Sequence, residues 1–381
     1  MKIIITVESY YPLKNGVQEI TQRYAEYLSK KNEVIVITRS VDGSPEEEIY
    51  NGVKIKRVNI YTKRSLYYGN IKMYKEMLHE LCFRGDIMIN VCLQTVFTDC
   101  ILRNLDQYEC KKILYFHGMA HFSFPKIEKV DFHDICSWLL NVIRWRTFYN
   151  FNKRNISKYD AIIHLHKMDN TYKMCKKLSN NNYVLENVAH IDQTILNDGS
   201  DVIDNEKPYI MIANYIHDKN QELALKSYYL SKSTRKLVFV GSYESKYLNR
   251  LKRIAKKYEN SFPKKSIEFI VGENHTITMK RLANSYALLH SSKSEKYPVV
   301  LSEALACGVP FIATDTGITR FLDGGIICTN SREFTKAINS LEESIYLRNN
   351  LLRIGKKYSN NFQDEKNNYL ILDGIIASLG K

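Results

Sequence analysis

At 381 residues, 44% of them apolar and 25% charged, the chain reads as globular and too long for one ordinary compact core, so two domains of roughly 100–200 residues are expected. Its formal charge of +14 is spread over faces, with ten basic against four acidic residues across 251–300 and eight against four across 51–100; no basic tail marks a nucleic-acid binder, and phosphorylated ligands or an anionic membrane surface fit better. Eight cysteines, at 82, 92, 100, 110, 136, 175, 307 and 328, form no Cys-x-x-Cys pair and no histidine cluster supplies zinc spacing, which points to buried free thiols in a reducing compartment rather than a metal site.

The N-terminal MKIIITVESYY carries an apolar run too short for a signal-peptide core, and no stretch reaches the roughly 18 apolar residues of a spanning helix. The expected location is cytoplasmic, at most peripheral on the inner face of the plasma membrane. KIIITV (2–7) reads as a buried strand, and Val17, Ile20, Tyr24 and Leu28 then recur at helical spacing. Further strands are expected at 33–38, 86–91, 111–117, 160–165 and 182–187. Between them, DICSWLLNVIRWRTFYNFNKRN (134–155) sets Ile135, Trp138, Leu139, Val142, Trp145 and Tyr149 on one helical face, with Arg144, Arg146, Lys153 and Arg154 around it. That pattern suits either a membrane-surface helix or an ordinary core-facing one. The polar stretch 190–208 reads as a linker. A second strand series is expected at 209–214, 236–241, 267–272, 286–292 and 310–315, followed by helix throughout 331–381. Strand–helix alternation of this kind predicts parallel sheets, with ligands at the carboxyl ends of the strands. The 27 tyrosines are read as compositional.

SEKYPVVLSEALACGVPFIATDTG (294–317) spaces Glu295 and Glu303 eight positions apart across Pro298. Pro298 suits a first helical position, Val299, Val300 and Leu301 then offer amides to a phosphate, and Gly308 closes the helix. Glu303 either gains from the helix dipole or serves a ligand. Carboxylates placed beside a phosphate site suit the vicinal hydroxyls of a ribose and a sugar. No Asp-x-Asp pair and no Gly-x-Gly-x-x-Gly occurs, so neither the usual metal-chelating transferase motif nor a dinucleotide fingerprint is present.

The longer run HSSKSEKYPVVLSEALACGVPFIATDTG resembles the Glu-x7-Glu signature of family 4 retaining glycosyltransferases, matching at Ser292, Glu295, Pro298, Val300, Glu303, Ala304, Ala306, Gly308, Pro310, Ile312, Ala313 and Thr314. PLKNGVQEITQRYAEYLSKKNEVIVIT resembles the family's first loop and helix, with Gly16 matching and Asn15 replacing a glycine. ILYFHGM resembles the strand ending in a histidine, here His117, and Asn187 matches the segment closing the first domain. IANYIHDKNQELALKSY resembles the strand and loop whose arginine and lysine hold the donor diphosphate: Lys219 matches, whereas Asn214 stands at the arginine, and Lys296 is a candidate replacement charge.

The resemblance implies an α/β GT-B fold, two facing Rossmann-like domains with a central cleft. It places the acceptor domain at 1–189, the linker at 190–208, the donor domain at 209–355, and at 356–381 a C-terminal helix packing back towards the first domain. It implies a retaining, metal-independent transfer from a nucleoside-diphosphate sugar, UDP-sugar by preference, to a surface glycan or lipid-linked saccharide, with no cofactor, no nucleic acid and a possible contact with anionic membrane. Glu295, His117 and Lys219 are the implied catalytic group. Gly16, Asn214, Lys219, Lys296, Pro298, Val299, Val300 and Glu303 are the donor-binding group, with Glu303 on the ribose and Glu295 on the sugar. Acceptor specificity falls to loops around 119–133. A nucleotide-sugar epimerase or phosphorylase on the same fold, and a degenerate binding or scaffold protein, are the alternatives.

Overall fold

The computed structural model describes the chain except residues 14–15, 64, 84, 120–131, 190, 192–194, 196–205 and 381, and the side chains of 132–137. Asn15, Ile135, most of the 190–208 stretch and most of 119–133 therefore lie outside the described residues. The chain divides into two units, Met1–Glu186 with Glu365–Lys381, and Asn187–Asp364.

In the first unit the elements run β1 (Lys2–Thr6), α1 (Gly16–Ser29), β2 (Glu33–Arg39), β3 (Glu47–Tyr50), β4 (Val53–Val58), β5 (Ile60–Lys63), β6 (Leu66–Gly69), α2 (Ile71–Phe83), β7 (Ile87–Val91), the short α3 (Val96–Asp99), β8 (Lys111–Tyr115), α4 (Phe132–Ile156), β9 (Ala161–His164), α5 (Asn170–Cys175) and β10 (Asn182–Val184). The sheet order is β10-β9-β8-β7-β1-β2-β4-β3, parallel except for β3. Its central strands are buried apolar runs such as Ile3, Ile4 and Ile5, as expected of a sheet covered on both faces. Helix α1 buries Ile20, Tyr24 and Leu28 on one side. The strands of 47–69 were not anticipated. In β3 and β4, EEIY and VKIKRV interleave charges with apolar residues, and β3 lies at the sheet edge.

Helix α4 buries Val142 and Trp145, with Phe148 and Tyr149 on the core, so the tryptophan face turns inward. Leu140, Ile143 and Phe151 on another side are 68%, 58% and 76% exposed. The Arg144 guanidinium donates to the Ser65 carbonyl in the β5–β6 turn.

The second unit contains β11 (Tyr209–Ile212), α6 (Gln221–Leu230), β12 (Leu237–Gly241), α7 (Lys246–Glu259), β13 (Ile267–Val271), α8 (His275–Ala283), β14 (Ala287–His290), α9 (Val299–Ala306), β15 (Phe311–Thr314), β16 (Gly325–Cys328), α10 (Ser331–Glu343) and α11 (Ile345–Phe362). All six strands are parallel, in the order β13-β12-β11-β14-β15-β16. The chain winds outward from β11 in one direction and from β14 in the other. The gap between the ends of these two strands is thus a topological switch point, where open α/β sheets take ligands.

Tyrosines are structural here: Tyr209, Tyr228 and Tyr286 are fully buried, and the Tyr228 and Tyr286 hydroxyls donate to the carbonyls of Arg235 and Leu341. The chain then returns to the first unit as α12 (Glu365–Leu379). There Tyr369 stacks on Tyr27 at 3.9 Å, and the Asn368 amide donates to the Tyr24 hydroxyl and the Glu186 carbonyl. The seven described cysteines are all free thiols.

Candidate functional site

The loops after β11 and β14 meet at the switch point of the second sheet. The Ser291 hydroxyl donates to the carbonyls of Lys219 and Asn220, and the Lys293 amide to the Asp218 carbonyl, so the two loops are stitched together. This brings Lys219 Nζ to 2.5 Å from Glu295 Oε1. The two side chains are 76 residues apart in the chain and only 29% and 13% exposed. Burial works to raise the Glu295 carboxyl, but His290, Lys219 and Ser292 outweigh it and hold it below the usual carboxylate range. His290, the last residue of β14, sets Nε2 3.6 Å from the same Oε1 and makes no hydrogen bond there. Burial lowers its pKa from 6.5 to about 4, so the ring is neutral at pH 7 and Lys219 carries the compensating charge.

The Glu295 loop is fixed from β15. The Ile318 amide donates to the Lys296 carbonyl, and Gly317 has φ +56. A Cβ on Gly317 would fall 2.4 Å from the Lys296 carbonyl oxygen and 2.5 Å from that of Glu295. Only glycine admits this approach.

Helix α9 starts one residue later than expected. Pro298 is its N-cap, extended at φ −68 and ψ 115, with no side chain capping the first turn. The Leu301 amide is spent on the Pro298 carbonyl, which leaves the expected phosphate amides to Val299 and Val300. The helix ends at Ala306, with Cys307 as its C-cap and Gly308 at φ +68, the left-handed closure its glycine predicts. Glu303 lies in the second turn, 5% exposed, beyond the turn in which a helix dipole repays an acid. Its carboxylate instead meets His275 Nε2, at 3.1 Å from the start of α8. The α9 start is anchored by a buried amide pair: Asn187 donates to the Tyr297 carbonyl, and Gln363 to the Tyr297 and Ser302 hydroxyls, while Ser302 donates to the Asn187 carbonyl.

Asn214 brings no charge to the site. Its side-chain oxygen accepts from the Ser242 amide, tying the ends of β11 and β12. Lys296 is half-buried beside Glu295. In the first unit, Gly16 is the exposed first residue of α1. His117 lies two residues past β8, buried, with its ring 4.4 Å from that of Tyr115 and its Nε2 without a hydrogen-bond partner. Burial lowers its pKa to about 3.

The structure thus gathers Lys219, Glu295, Glu303 and the α9 start within one unit, and adds His290, His275 and Gly317, which sequence reasoning did not single out. His275 reaches Glu303 from a separate helix, and His290 ends the strand whose following loop carries Glu295; nothing in the sequence marks either contact. Gly317 was visible as the glycine closing TDTG. Among the described residues no group of three or more His, Cys, Asp or Glu side chains could hold a metal ion.

Residues 193–358, which contain this constellation, match the family model described as glycosyl transferases group 1. A curated relative, the alpha-1,3/1,6-mannosyltransferase ALG2 of Kluyveromyces lactis, is 29% identical over 141 residues, covering 30% of this chain and 28% of its own length. The chain therefore spans well under a third of that relative. Among solved structures, sucrose-phosphate synthase from Thermosynechococcus elongatus superposes with a TM-score of 0.73 at 13% identity, over 99% of this chain and 98% of its own. HepE of Anabaena in complex with UDP-glucose superposes with a TM-score of 0.69 at 12% identity, over 99% and 100%. The fold is the GT-B fold that these structures share.

Proposed function

We propose that the chain is a retaining glycosyltransferase, moving a sugar from a nucleoside-diphosphate sugar to a surface glycan or lipid-linked saccharide without a metal ion. The observation that carries this reading is the Lys219–Glu295 pair at a switch point, in the loop that leads into α9 and its buried Glu303. Glu303 accepts from the ribose hydroxyls and Glu295 from those of the donor sugar. Lys219 and the Val299 and Val300 amides take the diphosphate and stabilise the charge growing on it as the bond to the anomeric carbon breaks. In retaining transfer the acceptor oxygen bonds that carbon on the same face, and the departing phosphate oxygen takes its proton. No side-chain base is therefore assigned. Lys296 is the proposed stand-in for the absent arginine, and Pro298 fixes the helix start. Gly16 and His117 remain assigned, by resemblance, to approach and orientation of the reacting groups. A UDP-sugar is the preferred donor, in line with the UDP-glucose held by the HepE structure. Peripheral contact with anionic lipid on the inner membrane face rests on the exposed apolar stripe and basic rim of α4. No described helix is long and apolar enough to cross a membrane.

A second reading, a degenerate binding protein, draws on Asn214, whose neutral side chain is occupied by Ser242. The test is a thermal-shift and calorimetry screen with UDP, GDP, ADP and their sugars in EDTA, repeated on Glu303→Ala. Saturable binding to one nucleotide, weakened in the variant, is the expected result. Folded protein that binds none of them means the binding-protein reading replaces transfer.

A further inference from the structure

The donor-site reading gives Lys219 two duties that conflict. In this structure its ammonium neutralises Glu295, yet a diphosphate would draw the same ammonium away. Glu295 is too deeply placed to be left alone, because a buried carboxylate stripped of its partner is strongly destabilising. Beyond Ser292, already among the groups that hold the carboxyl down, His290 is positioned to replace the lysine. His290 is 2% exposed, its Nε2 has no hydrogen-bond partner, and Glu295 Oε1 lies 3.6 Å from that nitrogen. Orphaned buried ring nitrogens are rare and call for an explanation.

We infer that His290 is a positioning residue for Glu295: when Lys219 turns to the donor diphosphate, the carboxylate shifts by less than an ångström or so and accepts a hydrogen bond from His290 Nε2. The exchange keeps Glu295 ionised and aimed at the donor sugar while freeing Lys219 for the leaving group. Because the ring is neutral beforehand, N–H donation moves no proton. The orphaned nitrogen of the free protein is then a partner held in reserve. This inference rests on the donor-site reading for its ligand, but the exchange between Lys219 and His290 can be tested without any ligand.

The experiment has two arms on the full chain. In the first, histidine-15N-labelled protein is titrated by NMR, wild type against Lys219→Met, with no nucleotide. Loss of the lysine should hand Glu295 to His290: the His290 pKa rises by at least one unit, a tenfold change in its proton affinity, and its Nε2–H proton appears downfield and protected from exchange at pH 7, which removing the lysine's charge alone would not produce. An unchanged titration overturns the exchange, whatever nucleotides do. In the second arm, calorimetry with UDP, GDP and ADP compares wild type, His290→Phe and His290→Gln. The Phe variant should lose about tenfold in affinity for the nucleotide that binds wild type, since its Glu295 would be stranded. The Gln variant, which keeps a donor near Nε2, should stay within about threefold. UDP-glucose should show a smaller loss than UDP, because the sugar hydroxyls themselves reach Glu295. Equal binding by wild type and the Phe variant, or Gln as weak as Phe, overturns the positioning role while the donor site stands. Failure of wild type to bind any of the three overturns the donor-site reading itself, and that outcome is separate from the ligand-free arm.

Discussion

At the residue scale, the site turns on a few contacts that sequence distance hides. Glu295, Lys219 and Glu303 are legible in the chain as polar residues in a familiar spacing, but their pairing is not. Lys219 and Glu295 lie on loops from neighbouring strands and neutralise each other, whereas read singly each awaits a ligand. Glu303 lies in the second turn of α9, past the reach of the helix dipole, and has a partner in His275. Gly317 gives the sharpest test of how the Glu295 loop is held. In Gly317→Ala the new Cβ must displace the carbonyls of Glu295 and Lys296, and the residue must keep φ +56. A loss of about 2–3 kcal/mol in urea unfolding is expected, from αL strain and the backbone clash together. Nucleotide binding should weaken alongside it. A variant as stable as wild type would mean that the loop relaxes freely and that the glycine is not what shapes it.

At the element scale, the sequence is most readable where burial is complete. Strands such as β1, β2, β12 and β14 are unbroken apolar runs because helices cover both faces, and the edges of such runs are blurred by only a residue or two. β3 to β6 escape notice for the opposite reason: β3, β4 and β5 mix Glu, Lys or Arg with their apolar residues, and β6 is four residues with none buried, so no run stands out. β16 is four residues beginning with a glycine. In α4 the aromatic periodicity correctly marks a face, but that face is the inward one, since a tryptophan stripe looks alike whether core or lipid receives it. If α4 docks on lipid, the contact is made by Leu140, Ile143 and Phe151. The triple change to serine should then abolish cosedimentation with phosphatidylserine vesicles while leaving the melting temperature within a degree or two, because these side chains are exposed. Vesicle binding unchanged by the triple variant would place any membrane contact elsewhere. The α9 start offers a second check on how an element is positioned. Gln363→Ala removes the donor to both Tyr297 and Ser302 in a buried setting, and should cost about 1–2 kcal/mol. It should also weaken nucleotide binding, by an amount that calorimetry can set against the stability loss.

At the scale of the whole molecule, each unit carries a buried neutral histidine at the end of a parallel strand, His117 after β8 and His290 in β14, and both bear on the stability of the fold. Their folded pKa values, about 3 and about 4, lie below the ordinary 6.5. Above pH 6.5 neither the folded nor the unfolded chain protonates them, and the full stability is present. Below it the unfolded chain takes up protons that the folded protein refuses, so stability falls as pH drops from 6.5 towards 4 in the second unit and towards 3 in the first. Each histidine contributes about 1.4 kcal/mol per pH unit within its window. His164 and His166, also lowered by burial, add to the loss in the first unit. Glu295, held below 4.5 in the folded protein, adds to it in the second as the unfolded chain's carboxyl protonates. Urea midpoints measured at pH 7, 6 and 5 should therefore decline on the acid side well before carboxylates titrate. His290→Phe should remove one proton's worth of that slope from the unfolding of the second unit, and His117→Phe the same from the first. Midpoints flat between pH 7 and 5 would mean that both rings protonate in place, and that neither is held neutral by its surroundings.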